Sequence, residues 1–553
     1  MPAEIAVFTN RYRWAAPGDI NAFFGLMLDN IANLLLTVSL LAVAFEFPTS
    51  YAIRHMLPGT SLGVLVGDLL YVWMAFSLAR RTGRQDVTAM PLGLDTPSTF
   101  GMVLLVLGPA FVKAKANLPI EAAAQYAWHV GICSIFISGL FKFACALGSN
   151  WIRRLLPRAG LLGSLTAIAL VLISFLPLLE ILRYPVAGFV ALGIVLTALV
   201  ARVRLPFHIP GALGGLLVGG LVYYLMQWTQ TLGPVLEPPH IRPEDALLPY
   251  EWLTVFSFEW RHALADTVPY LPVVIPFALG TVIGGIDCTE SAAAAGDEFD
   301  TRQVIAVEAF ATLVASCCGG VVQTTPYIGH PAYKAMGGRA AYTLATALFV
   351  GGAGLLGYFG YLYAVIPKPT VFPILIFVGL EITAQSFHAT PQRHYPAVAL
   401  ACVPALAALV SMYVDKLFGD PALYAHQLSV AALDGVLRQE LQTIRMLGNG
   451  FVVTSLLWAS ALASLIDRRL WLAAVYFVIA AVCASCGVIH SPLPGNPVFL
   501  PWQLDWELLQ ATTLQYVGGY AAIAVLLLLW GWWLGTISQE GRAHDPETMR
   551  TAA

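Results

Sequence analysis

Hydrophobic residues in this chain do not alternate with polar ones at a strand or helix period. They come in long unbroken runs, each near the roughly 20 residues that a helix needs to cross a bilayer. Such runs lie near 20–44, 59–79, 125–147, 160–182, 184–201, 210–228, 266–292, 303–322, 340–364, 371–386, 396–414, 448–466, 471–490 and 514–534. Two more segments, 88–112 and 323–338, are apolar but punctuated by Pro and Gly. The pattern therefore predicts about sixteen crossings if both broken segments are counted.

Lysine and arginine in the short loops orient those crossings. Arg11 and Arg13, Arg80 with Arg81 and Arg84, and Arg153 with Arg154 and Arg158 flank the early spans. Arg202, Arg204, Arg302, Lys334, Arg339, Arg393, Arg468 and Arg469 follow. With the N-terminus inside and both broken segments crossing, all of them face the cytoplasm. The acidic loop 229–262, with Glu237, Glu244, Asp245, Glu251 and Glu259, then falls outside.

The broken segments resemble each other. "TAMPLGLDTP" (88–97) and "QTTPYIGHP" (323–331) each carry Thr, Pro, Gly, a polar residue and a second Pro. They lie an odd number of crossings apart, so the second copy is inverted in the membrane. Pro91 and Pro326 interrupt a helix while Gly93 and Gly329 permit unusual backbone angles, which predicts an extended stretch. Pro97 and Pro331 suit the first turn of a new helix, with Thr96 or His330 near the cap. Extended backbone survives at membrane depth only against protein or a water-filled cavity. Half-helix N-termini placed there can hold an electronegative small molecule.

Charge inside a span is costly and marks function. "GGIDCTESAAAAGDEFDTRQ" (284–303) puts Asp287 and Glu290 three apart on one helix face. Two carboxylates that close in low dielectric share a proton more readily than they both ionise, which suits proton coupling. In the first span, "NAFFGLMLDNIANLLL" carries Asp29, Asn30 and Asn33. Asp95 and His330 mark the two breaks. Asp68, Glu308 and Lys142 are further polar groups in apolar runs, with no partner evident from spacing. "GVLVG" (63–67) and "GLLVG" (215–219) read as close helix contacts.

Composition agrees and excludes other classes. Of 553 residues, 58% are hydrophobic and 11% charged, with a mean hydropathy of +0.73. The net charge of −3 argues against a nucleic-acid binder. The 8 cysteines sit mostly in apolar runs without a second ligand pair, so no metal site is expected. The start, "MPAEIAVFTNRYRWAAPGD", lacks the continuous apolar core of a signal peptide. "GTSLG" (59–63) matches G-x-S-x-G but follows Pro58 at a helix start, and no other catalytic motif occurs. An enzyme is not expected.

The acidic helix end "IDCTESAAAAGD", the segment "QTTPYIGHPAYKAMGGRAAYT" and the inverted pattern resemble the nucleobase–ascorbate (xanthine/uracil) permeases over about 17–466. The resemblance implies an all-α polytopic membrane protein built as a seven-plus-seven inverted repeat. It implies core and gate domains, short strands in broken spans three and ten, and two extra C-terminal spans. Where that family carries an acid or amide followed by Asn-x-Gly, this chain has "IGHP". The expected division is a tail at 1–16, a first repeat at 17–228, an external loop at 229–262 and a second repeat at 263–466. Two extra spans follow at 467–536, then a cytoplasmic tail at 537–553.

The function expected is proton-coupled uptake of a nucleobase-like ring by alternating access; the alternative is an anion transporter, of the sulfate or bicarbonate type, with the same fold. Asp287, Glu290, Leu94, Asp95, Thr325, Tyr327, Ile328, Gly329 and His330 would contact substrate. Asp287, Glu290 and Asp29 would carry the coupling charge. No cofactor is expected beyond a proton or sodium as the coupling ion. The setting is a bacterial inner membrane, with a homodimer through the gate domain and both termini cytoplasmic.

Overall fold

A computed structural model describes residues 12–155, 157–206, 209–232, 242–327, 329–418, 433–493 and 499–543. Within these stretches, side chains at 148–155, 245, 287, 290, 294, 385, 415–416, 511 and 535–543 are not described. Ten described helices are long and apolar enough to cross a membrane, or twelve if each of two bent pairs counts as one span. Every continuous apolar run picked out in the sequence holds a helix. The protein is an all-α multi-pass membrane protein carrying two short strands.

By its contacts the chain divides into two units that interleave in sequence. One comprises Met1–Ile152 and Ile173–Leu380, the other Arg153–Leu172 and Glu381–Ala553. The first unit contains α1 (Gly18–Phe45), α2 (Leu57–Thr82), β1 (Leu92–Leu94) and α3 (Thr96–Lys115, with a π-turn at Met102–Leu107). It continues with α4 (Ile120–Leu155), α5 (Pro185–Val195), α6 (Gly211–Trp228), α7 (Leu271–Ala294) and α8 (Thr301–Cys317). Then come β2 (Thr324–Pro326), α9 (His330–Ala335), α10 (Ala341–Leu355) and α11 (Phe359–Val365).

Small residues set the packing of this unit. Gly59, Gly63 and Gly67 recur every fourth residue along one face of α2, so no side chain separates it from α8. A Cβ on Gly59 would lie 2.2 Å from Cys318 O, and one on Gly63 would lie 2.6 Å from the Ala315 Cβ. Gly215 and Gly219 do the same for α6 against Val195 and Ala191 of α5. In lipid, where no hydrophobic effect pulls helices together, such approach is what van der Waals attraction requires.

One apolar run is bent where the pattern shows a single span. Between α10 and α11 the axis turns by 92°. Gly357 adopts φ +78° at the corner, and a Cβ there would lie 1.9 Å from Ala246 O. Hydropathy is uniform across the bend, so the run reads as one crossing of 340–364 although its backbone is two pieces.

In the second unit, helices Arg158–Ile168, Tyr395–Phe418 and Phe451–Ile466 meet through Ala159, Ala397, Ala401, Ala459 and Ala463. The last two spans, Leu470–Ser485 and Leu514–Ala543, belong here. Tyr520 Oη contacts His490 Nε2 at 2.7 Å and accepts from Trp458 Nε1 at 2.9 Å, which ties the final helix to Phe451–Ile466.

Gly63→Leu should weaken the α2–α8 contact by about 2–3 kcal/mol. Thermal unfolding in detergent would show it. Gly193→Leu, where a Cβ meets no atom within 4 Å, should stay within about 0.5 kcal/mol of the wild type.

Candidate functional site

The two interruptions come together. β1 and β2 pair antiparallel, with Leu92 opposite Pro326, Gly93 opposite Thr325 and Leu94 opposite Thr324. Backbone bonds extend the pair at both ends: Tyr327 N donates to Pro91 O at 2.9 Å and Asp95 N to Gln323 O at 3.0 Å. Both strands are largely buried. An antiparallel pairing of two similar segments is what an inverted repeat produces.

A two-stranded sheet in a membrane still has two open edges, and each unpaired N–H or C=O costs several kcal/mol there. Side chains close both. On the outer edge of β1, Asn30 Oδ1 accepts from Leu94 N at 3.0 Å while its Nδ2 donates to Leu92 O at 3.4 Å. Asp68 Oδ1 accepts from Leu92 N at 3.0 Å. On the outer edge of β2, Thr324 O accepts from Lys142 Nζ at 2.8 Å, and Thr324 N donates to Thr312 Oγ1 at 3.3 Å. Cys288 Sγ lies 3.4 Å from Pro326 O. The partners of Asp68 and Lys142, which spacing left unassigned, are thus strand backbone.

After β1 the chain turns into α3 through Asp95, whose carboxylate caps the helix by accepting from Ser98 N at 2.9 Å. The cap is therefore Asp95 rather than Thr96. Its Oδ2 also lies 3.4 Å from Gln323 Nε2, and the Gln323 carbonyl accepts from Ser138 Oγ at 2.6 Å. After β2, α9 begins at His330 without a side-chain cap. Behind β2, Lys142 Nζ and Glu308 Oε1 form an ion pair at 2.8 Å, both side chains fully buried.

Of the residues expected to contact substrate, Leu94, Asp95 and Thr325 lie in or directly beside the strand pair, and Leu94 and Asp95 are buried. Tyr327 is half-buried and its ring stacks on Tyr333 at 6.1 Å. Gly329 precedes α9. His330 is buried, with Nε2 at 3.2 Å from Thr88 O and 3.3 Å from Asp297 Oδ2. Asp29 is buried on α1, its Oδ2 3.7 Å from where a Cβ on Gly93 would stand. Asp29 Oδ1 and Asn33 Oδ1 have no partner among the described residues. Asp287 and Glu290 lie on α7; their side chains, and all of Ile328, fall outside the described residues.

Asp297, in the loop between α7 and α8, anchors one end of this assembly. Its buried carboxylate meets Lys334 Nζ at 2.6 Å, Arg84 at 3.2 Å, His330 at 3.3 Å and Thr88 N at 3.0 Å. It joins α9 to the stretch that leads into β1. Burial pushes this carboxyl upward, but the hydrogen bonds from His330, Lys334 and Thr88 N–H outweigh it and hold it below its ordinary value.

No family model matches the chain, and no curated protein matches it. Solved structures with a similar fold include the transmembrane domain of a cyanobacterium bicarbonate transporter, BicA. That likeness has 13% identity and a TM-score of 0.43, and covers 80% of this chain and 97% of that one. SLC26A9 is similar at 12% identity and TM-score 0.45, over 71% of this chain and 61% of that chain. The murine Solute Carrier 26 member A9, described as an anion transporter in the inward-facing state, is similar at 13% and 0.35, over 72% and 68%. Likeness at this level says nothing of this chain's cargo. The resemblance to nucleobase–ascorbate permeases is overturned: no family or curated match carries it, and these three structures are of BicA and of Solute Carrier 26 member A9. The motifs behind it, a Thr-Thr-Pro break and an acidic helix end, describe backbone geometry and not a solute.

Asn30→Ala should strip two of the three side-chain bonds from the outer edge of β1, leaving that of Asp68, and cost about 2–3 kcal/mol, seen as a lower Tm in detergent. Asp297→Asn should leave the surrounding cations uncompensated, at a cost of about 3 kcal/mol at neutral pH. Because the folded carboxyl is depressed, the wild-type contribution is complete above the ordinary carboxylate range, near 3.9. It fades as pH falls through and below that range. The acid limb of Tm against pH should accordingly be shallower in Asp297→Asn than in the wild type.

Proposed function

We propose that the chain is a secondary active transporter that moves a small anion by alternating access, with the β1–β2 pair as its binding station. The pairing of two non-helical segments inside the membrane carries this reading. Continuous helices would satisfy the same backbone without recruiting Asn30, Asp68, Lys142 and Thr312. A bundle that keeps such breaks, with ionisable groups around them, has a use for polar backbone and buried charge at that depth.

The choice of an anion over a nucleobase-like ring rests on how the charges are engaged. Asp95 is committed to capping α3, and Glu308 is paired with Lys142. Lys142 is the one lysine or arginine fully buried among the described residues, and it touches β2 directly. In this reading Thr325, Tyr327, Gly329 and Leu94 line the solute's path, Asp287 and Glu290 of α7 and Ile328, which lie outside the described side chains, remain candidates to meet the solute, and a proton or sodium ion is the coupling species. The protein works in a bacterial inner membrane as a homodimer, with both termini cytoplasmic.

Counterflow uptake by proteoliposomes tests the assignment, with labelled chloride, bicarbonate and sulfate set against uracil and xanthine. At least one of the anions should accumulate and should raise the Tm of the purified protein, while the bases do neither. Uptake of a base that the anions fail to inhibit would overturn it.

A further inference from the structure

We propose that Glu308 takes up the coupling proton, and that its protonation releases the charge of Lys142 to the anion at β2. This rests on the transport reading above and goes beyond it by naming the coupling ion and its carrier.

The geometry around the pair is asymmetric. Lys142 Nζ has somewhere to go: besides Glu308 Oε1 at 2.8 Å it donates to Thr324 O at 2.8 Å and lies 3.4 Å from Thr312 Oγ1. Its charge is therefore held against the strand whether or not Glu308 is ionised. Glu308 has less. Lys142 reaches it at ion-pair distance and the Thr281 hydroxyl acts on it as a second, divided donor, neither meeting an oxygen in good alignment. Its Oε2 is turned to α7, where a Cβ on Gly285 would stand 2.8 Å away. The Thr281 hydroxyl on the same helix is nearby, yet donates to Ala278 O at 2.9 Å. A carboxylate held by one ion pair and one weakly aligned hydroxyl keeps an acceptor position on Oε2 at which a proton can be taken up.

Other titratable groups face the pair from each packed element, and most are occupied. Asp95 of α3 is bonded to Ser98 N and lies 3.4 Å from Gln323. Tyr71 of α2 donates to Val304 O at 3.1 Å. Cys145 of α4 is a buried thiol that carries no charge to offset. Thr312 of α8 and Thr324 of β2 share a 3.1 Å contact. Asp95 and Glu308 both interact electrostatically with Lys142, and Glu308 is the one in direct contact with it, so its change of state alters the charge of the pair beside β2.

The charge balance follows. Ionised Glu308 and charged Lys142 sum to zero, and an anion at β2 meets no net attraction. A proton entering from water forms one O–H bond on the Glu308 carboxylate and leaves the pair at +1. That charge sits one hydrogen bond from Thr324 O and attracts a monovalent anion, so proton and anion arrive together and the loaded site is neutral again. Neither binds well alone, because an unpaired charge in low dielectric is expensive. Linkage makes the dependence reciprocal.

Proteoliposomes carrying a trapped pH-sensitive dye and the full-length protein test this with chloride, bicarbonate and sulfate. In the wild type, an inward gradient of the transported anion should acidify the lumen, and anion counterflow should rise on the order of tenfold as pH falls from about 8 to about 5.5. In Glu308→Gln, counterflow should no longer respond to pH and lumen acidification should vanish. In Lys142→Met, counterflow should fall by roughly tenfold or more. The double variant Lys142→Met with Glu308→Gln removes both charges, so it should fold with a Tm near the wild type and still fail to exchange anion. That separates loss of function from loss of fold.

Retained acidification in Glu308→Gln, full exchange by the double variant, or loss of acidification in Asp287→Asn or Asp29→Asn alone would overturn the proposal. Loss of all exchange in a folded Glu308→Gln protein would overturn it as well. A wild type that moves none of the three anions would remove the anion reading itself, and this proposal with it; the wild-type arm and the variant arms report on the two separately.

Discussion

Everything distinctive in the first unit follows from one requirement: inside hydrocarbon, each backbone N–H and C=O needs a partner supplied by the protein. A helix meets it alone, and a two-stranded ribbon cannot. The ribbon at Leu92–Leu94 and Thr324–Pro326 is tolerated because Asn30, Asp68, Thr312 and Lys142 complete its rims. Each belongs to a different helix, so α1, α2, α4 and α8 are all positioned by the same six strand residues. Their polar side chains are consequences of the break, and their burial is tolerable because they are bonded.

Glycine and charge then divide the labour. The Gly59–Gly63–Gly67 face brings α2 against α8, which in turn places Asp68 and Thr312 close enough to bond the ribbon from opposite sides. Asp297 performs a comparable task at one end, drawing Arg84, His330 and Lys334 onto one carboxylate. The short helix α9 has too few residues to hold itself in place by packing. It is fixed by His330 and Lys334, two residues on it that share a partner.

Much of this was legible in the order of residues, and the boundary of legibility is physical. Pro91, Gly93 and Pro97, with Pro326, Gly329 and Pro331, announce a change of backbone because their constraints are local. The recurrence of glycine in "GVLVG" and "GLLVG" announces helix contact for the same reason. What could not be read is who meets whom across the fold. Lys142 and Glu308 lie in separate apolar runs, and nothing in either run identifies the other. Asn30 reads as a stray amide in a span until Leu92 and Leu94 are placed beside it. The bend at Gly357 is invisible to hydropathy because both of its arms are apolar. The family resemblance errs differently: the few shared residues around a break specify how the chain turns there and not what it carries.

The ribbon also constrains how the molecule can be made. On a ribosome β1 emerges long before β2, and in the interval one rim of Leu92–Leu94 has Asn30 and Asp68 while the other faces nothing. The segment cannot rest in lipid in that condition, so it must wait in the translocon, in the interfacial region or against a chaperone until Thr324–Pro326 is synthesised. The first half of this protein is accordingly not an independent folding unit, however hydrophobic its helices are, and any ancestral half-length form would have needed a second copy of itself to supply the missing strand.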